Sequence, residues 1–377
     1  VMGGEITWEC AGGNQYQFQL VIYRDCNGQD IIANNLDIDV WGHPTVSTVN
    51  CLLIETIDLS PPCTQIPAGP IQLDCGVGTQ GGNGAGAIQK YIYRSNPVTL
   101  SGTPPIGGWS FTYDDWSRSW SLTNIQTPAT YGMTLSATMY AIAGATAGQC
   151  VDSSPQFAQD PYLLLCAGTD FEFNSNVYDP NNDSLAFSWG TPLDHFPTGS
   201  FDPPNNPIPV PFVAGFSAAN PTPDATFNAA NVPATIDPNT GVISYTSNTQ
   251  GDFVMVQKID SYREGNLIST INREIQMVII NCAGANNTAP DITPPFAGNT
   301  SFDVEYFAGE LIDFDIIIQD LELLQDGTPQ TVSLTPSGNA FGTNLTDPNS
   351  GCDILPCATM DQAPIIMGVQ GVNSHFN

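Results

Sequence analysis

The chain has 377 residues, with 7 Lys+Arg against 37 Asp+Glu, a formal net charge of −30. Seven bases cannot form the cationic face that a polyanion or an anionic membrane demands, which excludes nucleic-acid binding and polybasic membrane adhesion. No 18-residue apolar run is present to span a bilayer, while 41% hydrophobic and 10% aromatic residues suffice for sizeable cores and argue against disorder.

Gly4–Cys10 and Gln15–Arg24 alternate polar and apolar residues around Gly12-Gly13-Asn14, a hairpin pattern. Further strands are expected at 89–94, 134–142, 184–189, 241–246, 252–260, 267–280 and 311–318, with Pro, Gly and Asn clusters between them. No segment sustains a capped 3.6-residue apolar period, so long helices are not expected. Many short strands with frequent turn signals predict an all-β chain of tandem β-sandwiches, immunoglobulin- or cadherin-like.

Pro/Asn-rich segments near 152–161 and 284–295 divide the chain into three expected modules: 1–156, 157–285 and 286–377. The last carries 12 acids and no base. Strands opening at Asp170 and Asp313 each lead into an acid-rich loop, a weak internal repeat. The third module lacks the closing strands that Ile236–Tyr245 and Gly251–Asp260 provide in the second, and is expected to continue beyond Asn377.

Ten cysteines form no C-x-x-C pair, and three histidines serve a zinc site poorly, so disulfides in an oxidising exterior are expected. No signal peptide is evident and Val1 is not an initiator, which reads as a processed, mature form.

The most chemical-looking loop is Asp179-Pro180-Asn181-Asn182-Asp183. Oxygens of Asp179, Asn181 and Asp183 at alternate positions suit Ca²⁺, and an Asx turn is the competing reading. Asp260 adds an oxygen if the module folds like a cadherin repeat, and Asp320 and Asp326 occupy the corresponding stretch of the third module. Gly76–Gly81 matches G-x-G-x-x-G, but more glycines and a strand follow, so a mobile loop is expected there and not a dinucleotide site. No G-x-S-x-G, H-E-x-x-H or P-loop occurs, and no enzyme is expected. Asp114 and Asp115 beside Trp109, Trp116 and Trp120 form the best cluster for contact with a sugar. Trp109, Phe111 and Tyr113 alternate and read better as the buried face of a strand.

GGEITWEC (3–10), NQYQFQLVIYRDCNG (14–28), KYIYRSNPVTLSG (90–102), LLCAGTDFEFN (164–174), DPNNDSLAFSW (179–189) and SYREGNLISTINREIQMVIINC (261–282) follow one another in an order that resembles the N-terminal region of large secreted Bacteroidota surface proteins of the gliding-motility-associated type. The resemblance implies export by a type IX secretion system, with a C-terminal sorting domain that this chain lacks. It also implies an extracellular, cell-surface location and the outer-membrane surface machinery as partner. Where relatives have a Cys-Cys-Arg-Asn cluster, this chain has Trp116-Ser117-Arg118-Ser119. With that departure, the expected pairings are Cys10–Cys26, Cys150–Cys166 and Cys352–Cys357. The function expected is a non-catalytic adhesin or stalk segment, rigidified by Ca²⁺ and gripping a polysaccharide or another surface ligand. The alternatives are a self-assembling subunit of a surface filament and a secreted carbohydrate-binding or carbohydrate-active protein.

Overall fold

The computed structural model describes residues 1–60, 74–76, 78, 80–82, 86–116, 118–142, 144, 150, 152–161, 164–281, 290–307, 309–321, 331–334, 336, 340–342, 344–352, 355–361, 366–369 and 371–377. The chain forms two units, Val1–Cys282 and Ala283–Asn377. The boundary expected near residue 156 does not appear, because strands from both sides of it share one sheet.

In the first unit the strands are β1 (Gly3–Gly12), β2 (Gln15–Asp25), β3 (Asn35–Trp41), β4 (Thr48–Asp58), β5 (Ile88–Ser95), β6 (Val98–Thr99), β7 (Trp109–Asp115), β8 (Met133–Met139), β9 (Gln156–Phe157), β10 (Leu164–Cys166), β11 (Asp170–Phe173), β12 (Val177–Tyr178), β13 (Ser184–Trp189), β14 (Val232–Ile236), β15 (Ile243–Thr246), β16 (Gly251–Arg263) and β17 (Asn266–Ile280). Among the described residues, a 3-10 turn covers Pro128–Thr130.

The long strand β17 organises this unit. One edge pairs β16 along its length, from Arg263↔Asn266 to Gly251↔Ile279. The other edge takes three partners in turn: β8 at Ser269–Ile271, β1 at Glu274 and Ile275, and β10 at Val278–Ile280. The path β1-β2-β5-β4-β3-β7-β8 therefore begins and ends on the same edge of β17, closing a ring of eight strands. Every ring strand sends a buried side chain into one core: Trp8, Phe18, Ile38, Val49, Tyr93, Phe111, Leu135 and Ile271.

Side chains of opposite parity form a second core. Phe18, Leu20 and Ile22 of β2 point into the ring, whereas Val21 and Tyr23 join Met255, Ile275 and Met277 outside it. A three-stranded sheet, β11-β15-β14, covers that outer face with Ala234, Ile243 and Tyr245. Coverage on both faces explains why Leu20-Val21-Ile22-Tyr23 of β2 runs without a polar break and why Glu5 and Thr7 of β1 are buried despite their polarity. Closure also needs small residues where β1 enters. A Cβ on Gly3 would lie 2.0 Å from the Glu274 carbonyl oxygen, and one on Gly4 would lie 2.2 Å from that of Val21.

Among the described residues, the second unit has β18 (Asp291–Thr293), β19 (Phe314–Gln319), β20 (Thr331–Leu334), β21 (Ile366–Val369) and β22 (Gly371–Phe376). The first, second and fifth form one antiparallel sheet, and the other two pair with each other. Its core includes Ile318, Val332, Leu345, Met360, Val372 and Phe376.

The disulfides correct the expected pairing. Cys10 bonds Cys150, not Cys26, and Cys26 bonds Cys75. Cys166 is disulfide-bonded, but Cys150 is not available to it. Cys352 bonds Cys357. Pairing follows proximity in space: residues around Cys10 and Cys150 are joined by Trp8–Ser154 and Cys10–Ser153 hydrogen bonds, whereas Cys26 lies beyond the far end of β2, next to Ala87.

Candidate functional site

An open cleft of about 670 Å³ lies between the loop after β2 and the turn after β7. Asp25, Asn27, Gln29, Asp30, Ile31 and Ile32 form one wall. Tyr113, Asp115, Trp116 and Trp120 form the other, with Arg118 behind them. Strand alternation separates the two expected acids, since Asp115 lines the cleft and Asp114 does not. Trp109, Phe111 and Tyr113 are buried in the ring core, as their period-two spacing predicts. Trp116 and Trp120 follow the end of β7 and are 58% and 82% exposed. The Trp116 ring meets His195 edge-on at 4.2 Å, which fixes its orientation.

The first wall is braced from below. Arg24, buried at the end of β2, donates to the carbonyls of Gln29 (2.8 Å), Gly28 (3.4 Å) and Gly78 (2.9 Å) and pairs with Asp30 at 3.4 Å. Asp25 accepts from the backbone and side-chain nitrogens of Asn27, an Asx turn. The glycine segment expected to be mobile supports this loop where it is described. Gln80 N donates to the Gly28 carbonyl, Gly82 N to the Cys26 carbonyl, and Cys75 is bonded to Cys26. On the second wall, Arg118 makes a bidentate pair with buried Glu274 and donates to the carbonyls of Gly132 and Leu193.

The loop read as a calcium site is organised around a guanidinium. Arg263 donates to both oxygens of Asp183 and, at 2.8 Å, to Oδ1 of Asp152. Asp179 Oδ1 accepts from the nitrogens of Asn181 and Asp183, and its Oδ2 accepts from the Ser261 hydroxyl. The Asn181 side-chain oxygen accepts from Ser153 N. Asp260 turns to Lys258 and Thr270 instead. Asp320 lies in the second unit, and Asp326 lies outside the described residues. Among the described residues, no group of three His, Cys, Asp or Glu is placed to hold a metal ion. The oxygen set fits Arg263 and an Asx turn better than Ca²⁺. Burial, reinforced by the charge of Asp179, raises the Asp152 carboxyl to about 8.

The scarce bases are thus committed internally. Lys90 pairs with Asp160 at 2.5 Å and Arg273 with Glu5 at 3.1 Å. Together with Arg24, Arg118, Lys258 and Arg263, six of the seven bases face a carboxylate. Arg94 donates to the Gln19 side chain. Sequence reasoning singled out the two exposed indoles but not the Cys26–Ile32 wall opposite them. No local pattern joins segments about 90 residues apart, and only ring closure brings them face to face.

No family model, no curated protein and no solved structure matches the chain.

Proposed function

We propose that the chain is a non-catalytic, extracellular segment of a surface adhesin, exported by the type IX route that its N-terminal motifs resemble. The observation that carries this reading is the covalent locking of the first unit, with Cys10–Cys150 spanning 140 residues and Cys26–Cys75 spanning 49. Such pairs persist outside the reducing cytosol. The layering of one sheet on another supports a β-sandwich reading of the architecture, which suits a load-bearing module. Commitment of nearly all bases to buried or partly buried pairs leaves a soluble acidic exterior. The test is labelling of intact cells with an antibody to the chain, together with attachment of cells lacking it. Surface labelling and weakened attachment are expected. A protein found only in the cytosol with its cysteines reduced would overturn the proposal.

A second reading, a filament subunit, is favoured by one feature of the second unit. Phe302, Tyr306, Phe307 and Leu311 are exposed within ten residues of chain, at 59%, 43%, 82% and 73%. Sedimentation that grows with concentration, and is abolished by Phe307→Asp with Leu311→Asp, would support this reading over a monomeric adhesin.

A further inference from the structure

We infer that the cleft between the loop after β2 and the turn after β7 binds a neutral glycan chain. Ile32, Trp116 and Trp120 are 87%, 58% and 82% exposed, and all three line this one cleft. Exposed indoles gathered in a concave site gain free energy when an apolar face covers them. The C–H faces of pyranose rings supply such a surface, and their hydroxyls both donate and accept. The polar groups beside the indoles match this: the amides of Asn27 and Gln29 offer both roles, and the carboxylates of Asp25 and Asp115 accept. The cleft volume of about 670 Å³ lies within the roughly 300–1,000 Å³ typical of ligand sites, room for a short run of sugar rings.

Charge selects among glycans. Arg24 and Arg118, the two cationic side chains in the walls, are buried and engaged by carbonyls, Asp30 and Glu274. A uronate or sulfate ester would find both cationic side chains already engaged and would meet Asp25 and Asp115. The walls are preformed by the Cys26–Cys75 bond and the Arg24 braces, so little ordering entropy opposes binding.

The test uses the 377-residue chain against laminarin, xylan and mannan as neutral polymers, alginate and polygalacturonate as acidic ones, and oligolysine. Affinity electrophoresis and tryptophan fluorescence report binding. Expected are retardation by at least one neutral polymer, little change between about 0.05 and 0.5 M salt, and about tenfold weaker binding in Trp120→Ala. Trp120→Phe should retain most of the affinity. Ile106→Ala, exposed but away from the cleft, should match the wild type. Thermal melts confirm that each variant folds. No neutral polymer bound, equal binding by Trp120→Ala, alginate held as tightly, or oligolysine held and released by salt would each overturn the inference. None of these outcomes bears on surface location, so the adhesin proposal stands or falls separately.

Discussion

Arg273 on β17 holds Glu5 on β1 across 268 residues of sequence, Nε to Oε2 at 3.1 Å and one terminal nitrogen to Oε1 at 3.2 Å. Both side chains are buried, and Tyr23 completes the cluster by donating to Glu5 at 3.1 Å. The Arg273 guanidinium also lies 3.9 Å from the centre of the Phe157 ring. This pair sits where β1 joins β17, the seam that closes the ring. Removing one partner of a buried pair strands the other charge, so Glu5→Ala should cost about 3–5 kcal/mol. All six tryptophans fall within the first unit, so urea unfolding followed by their fluorescence measures that unit alone. A loss below about 1 kcal/mol would show that the seam is held by packing.

The same seam is sterically tight. Gly4→Ala would place a methyl against the Val21 carbonyl and 2.8 Å from Leu135 Cδ1. Overpacking of this kind should destabilise the first unit by about 2–3 kcal/mol. Gly13→Ala serves as a partial control, since nothing lies within 4 Å of its added Cβ, although its φ of +61° carries a smaller strain.

Closing a 140-residue separation by Cys10–Cys150 should contribute about 5 kcal/mol on the chain-entropy account. The double variant Cys10→Ala/Cys150→Ala should shift the fluorescence-detected urea midpoint accordingly. Cys352→Ala/Cys357→Ala should leave that midpoint unchanged, because its bond lies in the other unit.

Asp152 makes stability depend on pH. Its native carboxyl is raised to about 8 from an ordinary 3.8, so the folded chain holds this proton more tightly than the unfolded one. The stabilisation is complete below the ordinary carboxyl value and is lost as pH rises toward the native one. Asp152→Asn keeps an oxygen for Arg263 and removes the dependence. The variant should melt above the wild type at pH 8, and the two should converge toward about pH 4. Scanning fluorimetry across that range checks it, and parallel curves would refute it.

Cys51 is a free, buried thiol whose pKa burial pushes up to about 12. Thiolate is the reactive form, so iodoacetamide should label Cys51 only after unfolding. Mass spectrometry of the native and urea-treated chains distinguishes the cases.

Residue order alone was enough to establish the all-β character, because two-residue alternation and turn residues are local signals. It also identified the buried face of Trp109, Phe111 and Tyr113 and, through the shortage of bases, excluded polyanions as ligands. Partner choice lay beyond it. Alternation says which face of a strand is buried but not which strand lies alongside, so the apparent break near residue 156 concealed strands that share one sheet. The loop at Asp179–Asp183 carries a calcium-like pattern because carboxylate spacing is visible in sequence, whereas Arg263, 80 residues away, is not. Cysteine pairing and the facing of Trp120 toward the Cys26–Ile32 loop were likewise decided by ring closure through β17. That closure brings together groups whose separation along the chain carries no signal, and burial of two cores fixes it.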